Sequence, residues 1–231
     1  MESLDSSVDE YILDEENSRH ALQVLRMKPG EELTLTDGQG NQLQGIITGD
    51  KKRECRVKVQ ARNTIPLPAG TITIAISLLK NTNRFEWFLE KAVEIGVIEI
   101  VPLLCERTEK EKFRSDRLKN ILISAMLQSR QCWLPILHEP IPFELLFRQE
   151  EVAASNQKFI AHCLEGDKKN PADLISPEAN SRIVLIGPEG DFSREEIELA
   201  LRHQFTPLSL GNTRLRSETA GVVAAALLRL I

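Results

Sequence analysis

The chain has 231 residues, 42% hydrophobic and 27% charged, a composition typical of globular proteins with room for two modest domains. No apolar run reaches the roughly 20 residues that span a bilayer, and residues 1–16 are acidic without the apolar core of a signal peptide, so we expect a cytoplasmic protein with no membrane contact. The net charge of −5 argues mildly against nucleic-acid binding, but residues 17–62 carry nine Lys or Arg against five acids, a local excess of +4.

The cysteines indicate neither disulfides nor a metal site. Cys55, Cys105, Cys132 and Cys163 are far apart, and none forms a CxxC pair. Disulfide frameworks and structural zinc sites use closely spaced cysteines. We therefore expect four reduced thiols, most of them buried, and no bound metal.

The first third of the chain is predicted to be mainly β-structure. Short segments of alternating polarity are separated by turn residues such as those at 37–40, a pattern typical of a small barrel. One or two helical turns are expected before these strands, and a linker rich in proline and glycine after them. The predicted helical turns are Ser18–Leu25, the strands are Glu32–Thr36, Gln42–Thr48 and Glu54–Gln60, and the linker is Asn63–Gly70.

After residue 70 the pattern changes to alternating strands and helices. Such alternation predicts a mostly parallel sheet covered by helices on both faces, with ligands binding at the carboxyl ends of its strands. Gly96 is well placed to end the first helix. The predicted strands are Ile72–Leu79, Ile98–Leu104, Lys158–Leu164 and Arg182–Ile186, and the helices are Arg84–Ile95, Asp116–Gln131, Ser193–Arg202 and Leu215–Ile231.

Three loops at predicted strand ends carry candidate functional residues. They are residues 162–166, residues 186–193 and residues 208–220. The middle loop passes through Gly-Pro-Glu-Gly, where glycine allows the backbone to approach a ligand closely. Ser193 and Glu196 form a capping box that specifies where the next helix begins. The loop matches neither the dinucleotide nor the triphosphate glycine pattern; a tight connection with a good cap is the simpler alternative.

The third loop places cations where helix stability does not favour them. Arg214 and Arg216 precede the apolar C-terminal helix, and positive charge at a helix N-terminus opposes the helix dipole. Phosphate or carboxylate binding by an arginine explains this placement. The alternative is a solvated helix start at which Glu218 offsets the arginines.

Several segments of the sequence resemble the motifs of a known family. Ile-Gly-Pro-Glu-Gly-Asp-Phe-Ser at 186–193 and Leu-Gly-Asn-Thr-Arg-Leu-Arg-Ser-Glu-Thr-Ala at 210–220 resemble the paired C-terminal motifs of the RsmE family of SPOUT methyltransferases. The segments at 19–26, 37–40, 90–97 and 128–130 fit the same family in the same order. The chain departs from the family pattern at Asp191, where glycine is usual, at Arg19, where a second histidine is common, and in its acidic start.

The resemblance implies an α/β fold of the SPOUT type with a C-terminal trefoil knot, preceded by a small PUA-like β-barrel. We expect an RNA-binding barrel domain at residues 1–68 and a methyltransferase domain at residues 69–231. The implied activity is S-adenosyl-L-methionine-dependent methylation of N3 of a uridine in 16S ribosomal RNA. The implied partners are the 16S RNA or the 30S subunit and a second copy of the chain, with which it forms a homodimer.

The resemblance also assigns roles to individual residues. We expect Arg216 to hold the uracil oxygen or a phosphate, and Glu189 and Glu218 to orient the base or remove its proton. Glu189 could equally brace its own loop by accepting backbone N–H groups. The expected cofactor-binding residues are Leu164, Glu165, Gly166, Ile186, Gly187, Pro188, Gly190, Ser209, Leu210, Gly211, Asn212 and Leu215, and the expected RNA-binding residues are Arg19, His20, Arg26, Lys51, Lys52, Arg53 and Arg130.

Two other functions remain open on the sequence alone. One is a related SPOUT enzyme that methylates a ribose 2′-hydroxyl group of RNA. The other is a non-catalytic RNA-binding relative that has kept the fold and lost the cofactor. Mass spectrometry of digested nucleosides distinguishes ribose methylation from methylation of uridine N3. Titration with S-adenosyl-L-methionine distinguishes an enzyme from a non-catalytic relative.

Overall fold

The computed structural model describes residues 8–49, 54–109, 112–164 and 171–230. The chain divides into two compact units, Met1–Leu67 and Pro68–Ile231. The first unit is mainly β-structure, and the second is built from alternating strands and helices.

The first unit contains a four-stranded antiparallel sheet with the order β1-β4-β3-β2. Two of its features differ from the sequence-based expectation. A short strand, β1, pairs with β4 inside the acidic N-terminal stretch, and β4 continues through Thr64, which shortens the predicted linker. β4 extends because its last residues pair with β3 up to Asn41. The strands are β1 (Glu10–Ile12), β2 (Glu32–Thr36), β3 (Asn41–Gly49) and β4 (Arg56–Thr64).

A short helical segment packs against this sheet. Helix α1 (Glu15–Arg19) runs directly into a π-helical turn, His20–Val24, so the predicted helical turns are present. Ser18 is fully buried; its hydroxyl donates to the Leu13 carbonyl oxygen and accepts from the Cys55 amide. These hydrogen bonds join the helical segment to the start of β4.

β3 carries a bulge that only glycine permits. The register of β3 against β4 shifts between Gln44 and Gly45. A Cβ atom on Gly45 would lie 2.5 Å from Cγ1 of Val57 and 2.7 Å from the carbonyl oxygen of Lys58, so the two backbones approach too closely for a side chain.

The second unit is centred on a parallel sheet with the order β11-β9-β10-β5-β6-β7, in which β8 also pairs with β6. Five of the seven residues of the central strand β5 are buried, as expected for a strand covered on both faces. The strands are β5 (Thr71–Ser77), β6 (Glu99–Leu104), β7 (Ile136–Leu137), β8 (Ile141–Pro142), β9 (Gln157–Ala161), β10 (Ser181–Ile186) and β11 (Thr206–Pro207).

The four predicted helices of this unit begin and end close to their predicted bounds, and three short helices, α4, α5 and α6, were not predicted. Gly96 ends α2 in the left-handed conformation, with φ of 90°, and Ser193 and Glu196 form the predicted capping box. Helix α3 ends earlier than predicted because Arg130 adopts a φ of 57°. The helices are α2 (Thr82–Ile95), α3 (Ser115–Gln128), α4 (Phe143–Leu146), α5 (Glu150–Ala154), α6 (Pro171–Leu174), α7 (Arg194–Arg202) and α8 (Ser217–Leu230).

Two hydrophobic cores cover the two faces of the sheet, one with α2, α3 and α8 and the other with α4 and α7. Helix α8 approaches α2 so closely at Gly221 that a Cβ atom there would lie 2.6 Å from the Phe88 ring. Among the residues that the structure describes, no helix has the length and apolar character needed to cross a membrane.

Candidate functional site

The three predicted strand-end loops lie side by side at one edge of the sheet. Ala161 and Ile186 are paired as the last residues of β9 and β10, and the Leu208 amide donates to the Ile160 carbonyl oxygen at 2.9 Å. The strands are parallel, so their carboxyl ends meet at the same edge and the loops that follow begin next to one another. The three candidate loops are therefore neighbours at one edge of the sheet.

These loops enclose a cavity of about 660 Å³, compared with about 250 Å³ and 240 Å³ for two other cavities of the described structure. A volume of this size suits a small-molecule ligand. The lining is Ala161, His162 and Cys163 from the first loop, Ile186, Gly187, Pro188, Glu189 and Asp191 from the second, and Leu208 to Ser217 with Ala220 from the third.

The second loop is held from both sides. The Glu189 carboxylate accepts the Lys80 amide at 3.1 Å, and the Arg107 guanidinium donates to the Gly190 carbonyl oxygen at 2.8 Å. Inside the loop, a Cβ atom on Gly187 would lie 3.1 Å from the Phe192 amide nitrogen and ring. Glycine at 187 therefore lets the loop fold tightly over Phe192. Glu189 accepts a backbone amide from the loop after β5, whereas the sequence interpretation had it brace its own loop.

The third loop is open and positively charged. Gly211 has a φ of 118°, and a Cβ atom there would meet no protein atom within 4 Å. Arg214 and Arg216 are exposed on the cavity lining, directly before α8. Within the described residues, neither guanidinium forms an ion pair, so both are available to an anionic or carbonyl ligand.

Glu218 lies behind the cavity wall and does not line the cavity. Its side chain is 8% exposed, and its Oε1 atom lies 3.6 Å from Nε of Arg84 on α2. The Oε2 atom is buried without a hydrogen-bond partner in the described part of the chain. The sequence placed Glu218 beside the arginines, but the helix turns its carboxylate towards α2.

The predicted cofactor-binding residues fall into three groups. Most line the cavity: Ile186, Gly187, Pro188, Ser209, Leu210, Gly211, Asn212 and Leu215. Leu164 and Gly190 belong to the same loops but are not part of the lining. Glu165 and Gly166 lie outside the described residues, as do Lys51, Lys52 and Arg53 of the predicted RNA-binding set.

Several lining residues were not predicted, among them Ala161, His162, Cys163 and Asp191. The signal for the first three was present, since they lie in the last part of the predicted strand Lys158–Leu164, which in the structure ends at Ala161. Asp191 was treated only as a departure from a family pattern. Its contacts depend on a residue 28 positions away, which no local pattern reveals.

The described members of the predicted RNA-binding set are in two places. Arg19 and His20 are exposed on the helical segment of the first unit, and Arg26 is exposed shortly after it, with a φ of 57°. Arg130 follows the C-terminal end of α3. In a parallel sheet the helix after a strand starts at the carboxyl edge, so Arg130 lies at the opposite edge from the cavity of its own chain.

The four cysteines are free thiols, and only Cys163 is exposed. Cys55, Cys105 and Cys132 are buried, as expected for small hydrophobic side chains. Burial, and to a lesser degree the nearby Glu196 carboxylate, raises the pKa of the Cys105 thiol far above its usual range. Cys163 is therefore the one accessible thiol of the described chain, and it lies on the cavity wall.

Two family models match the chain. The RNA methyltransferase domain matches residues 66–229, and the RNA methyltransferase PUA domain matches residues 13–60. Together they cover both compact units.

Individual relatives match over most of their length. Ribosomal RNA small subunit methyltransferase E of Synechocystis is 32% identical over 90% of this chain and 69% of its own. A probable rRNA methyltransferase of Porphyromonas gingivalis is similar in structure, with a TM-score of 0.85, 38% identity and coverage of 95% of this chain and 91% of that one. A ribosomal RNA small subunit methyltransferase E of Neisseria gonorrhoeae, crystallised with S-adenosyl methionine, has a TM-score of 0.86, 28% identity and coverage of 97% and 93%. The predicted α/β methyltransferase fold with a PUA-like N-terminal domain is confirmed.

Proposed function

Because this chain belongs to the ribosomal RNA small subunit methyltransferase E family, we propose that it methylates N3 of a uridine in 16S ribosomal RNA, with S-adenosyl-L-methionine as the methyl donor. The observation that carries the proposal is the cavity formed by the loops after β9, β10 and β11. It lies at the carboxyl edge of a parallel sheet, where such folds bind their ligands.

The lining of this cavity fits the cofactor. Apolar side chains such as Ile186, Leu208 and Leu210 suit the faces of an adenine ring, and the backbone of two glycine-containing loops can meet polar edges. Gly211 leaves open space where any other residue would place a Cβ atom. When bound, the cofactor supplies a sulfonium-activated methyl group.

The residues of the chain then have to orient the uridine and stabilise the charge that develops on it. N3 carries an imide proton, and its loss places negative charge on the neighbouring carbonyl oxygens. We assign Arg216 to one of these oxygens, because it is exposed on the cavity lining and has no partner among the described residues. A phosphate of the same nucleotide is the other anion that a guanidinium fits.

Glu189 is the carboxylate proposed to orient the base. It lines the cavity, whereas Glu218 is buried against Arg84. One oxygen of Glu189 is occupied by the Lys80 amide, which fixes the carboxylate in place. We propose that Glu189 orients the N3 proton and that solvent completes its removal, while Glu218 positions the start of α8 through Arg84.

The first domain, residues 1–68, is proposed to supply RNA affinity, and the second, residues 69–231, to hold the reaction and a C-terminal trefoil knot. Arg19, His20 and Arg26 support the first part, because all three are exposed on or just after one short helical segment. Such cations contact phosphates and position RNA without reading its sequence. The proposed setting is the cytoplasm, with the 30S subunit as partner.

We also propose that the chain acts as a homodimer through α8. Val223 and Ala226 are apolar and only partly buried, and neither is packed against the core beneath the helix. Leu230, further along the helix, is 84% exposed. A second copy of the same surface is the commonest cover for such a face.

The proposed reaction is tested by incubating the protein with S-adenosyl-L-methionine and either 30S subunits or naked 16S RNA. The digested nucleosides are then analysed by mass spectrometry. We expect 3-methyluridine as the product. The RNA that yields more of it, the 30S subunit or the naked 16S RNA, is the preferred substrate. A 2′-O-methylated nucleoside would establish ribose methylation instead. An absence of cofactor binding in isothermal titration would identify a non-catalytic RNA-binding relative.

The role of Arg216 gives a separate prediction. Arg216→Ala should lower kcat/KM for RNA by about 100-fold, equivalent to about 2.7 kcal/mol, because it removes a charged donor from the developing oxyanion. The affinity for the cofactor should stay within about twofold. Arg216→Lys should recover only part of the loss, since an ammonium group lacks the planar fork of the guanidinium.

The matched control is Arg202→Ala, which removes an exposed cation from the last turn of α7. If this variant loses as much activity as Arg216→Ala, the effect is one of overall charge. In that case Arg216 has no specific role.

A further inference from the structure

Asp191 occupies a backbone conformation that most residues avoid. Its φ is 64°, and its amide donates to the Pro188 carbonyl oxygen at 2.9 Å, which closes the turn of the second cavity loop. Glycine adopts such a conformation without strain, and aspartate is among the better substitutes. The turn needs only the backbone of residue 191, so the side chain is left for another role.

The Asp191 carboxylate joins two cavity loops. Its Oδ1 atom accepts the neighbouring Phe192 amide at 2.9 Å, and its Oδ2 atom accepts the Cys163 amide at 2.7 Å. Cys163 belongs to the loop after β9, whereas Asp191 belongs to the loop after β10. Bonds from an amide to a carboxylate are shorter and stronger than those between neutral groups.

This bridge lies where the sheet no longer holds the two loops together. The pairing of β9 with β10 ends at Ala161 and Ile186, two residues before Cys163. Beyond that pair, the hydrogen bond from the Cys163 amide to the Asp191 carboxylate connects the two chain segments in place of hydrogen bonds between backbone groups. The second loop is a firm anchor, because Arg107 and Lys80 hold it from outside the cavity.

We propose that Asp191 is a positioning residue that holds the start of the first cavity loop, at Cys163, against the second loop, so that the cofactor meets a preformed wall. The inference rests on the proposed function and deepens it. Preorganisation of a binding loop strengthens binding because less chain has to be ordered when the ligand arrives. Asp191 lines the same cavity without being assigned to the reaction.

Two substitutions test this role. Asp191→Gly keeps the left-handed turn and removes both side-chain bonds. Asp191→Asn tolerates the turn and keeps one oxygen, so it can serve one of the two amides. Gln204→Gly is the matched control, since Gln204 has a φ of 68° in an exposed turn outside the cavity lining and undergoes the same change in backbone freedom.

The measurements are hydrogen exchange of the Cys163 amide in the ligand-free chain, the Kd for S-adenosyl-L-methionine by calorimetry, and the steady-state constants. For Asp191→Gly we expect exchange at Cys163 to quicken by about tenfold and the cofactor Kd and KM to rise by about tenfold, equivalent to about 1.4 kcal/mol. The value of kcat should change by less than about twofold. Asp191→Asn should fall between Asp191→Gly and the wild type, and Gln204→Gly should match the wild type.

Unchanged exchange at Cys163 in Asp191→Gly would overturn the proposed bridge. Faster exchange with an unchanged cofactor Kd would overturn its positioning role. A fall in kcat without a change in KM for the cofactor would do the same. If the wild type itself does not bind S-adenosyl-L-methionine, the proposed function fails, while the exchange data still judge the bridge by themselves.

Discussion

Replacing Gly211 by valine is expected to abolish binding of S-adenosyl-L-methionine while leaving the chain folded. Gly211 has a φ of 118°, which a β-branched residue avoids, so the loop must change its path or carry strain of about 1–3 kcal/mol. The added side chain would also enter open space on the cavity lining. We expect the Kd to rise at least about 100-fold, equivalent to about 2.7 kcal/mol, as measured by calorimetry.

Gly30→Val is the control for this experiment. Gly30 also has a positive φ, 93°, and a Cβ atom there would meet nothing within 4 Å, but it lies in the other compact unit. The two variants should have similar thermal stability, and only Gly211→Val should lose the cofactor. Undiminished binding by Gly211→Val would remove the third loop from the proposed cofactor site.

A glutamate introduced on α8 should have different effects at two neighbouring positions, dissociating the dimer at residue 226 and unfolding the chain at residue 225. Ala226 is partly buried and is not packed against the core, so Ala226→Glu should give a folded monomer of 26.0 kDa with little activity. Ala225 is fully buried within its own chain. Ala225→Glu should therefore unfold the protein, because an unpaired buried carboxylate costs several kcal/mol against a total stability of about 5–15 kcal/mol.

Sedimentation at micromolar concentration, circular dichroism and the methylation assay check both variants. A wild-type chain that sediments as a 26.0 kDa monomer with full activity would end the dimer proposal. A dimeric Ala226→Glu would place the interface on another surface.

Features that depend on neighbouring residues could be predicted from the sequence. Gly96 ends α2, and Ser193 begins α7 with its capping box, because each signal lies within a few residues of the helix end. The first two cavity loops could also be predicted to lie together, since they follow predicted strands of one parallel sheet. The strand before the third loop, β11, has only two residues and was not predicted.

Features that depend on contacts between residues far apart in the chain could not be predicted from the sequence. The strand Glu10–Ile12 exists because β4 pairs with it, although its three residues are too few to show a strand pattern of their own. Glu218 is buried, and its carboxylate faces Arg84 of another helix. The bridge from Asp191 to Cys163 likewise joins residues that are remote in the chain, and only the three-dimensional fold brings them together.

The strand order also determines when the second unit can form during synthesis. Its central strand β5 ends at Ser77 but pairs with β10, which ends at Ile186, so 109 further residues (186 minus 77) must follow. At translation rates of about 5–20 residues per second, one edge of this apolar strand waits for about 5–20 s. The paired strands of the first unit all lie within residues 10–64, so that unit can fold first. The nascent chain therefore carries a folded first unit followed by β5, whose apolar residues and unpaired edge are still exposed. Exposed apolar strands of this kind are what chaperones bind.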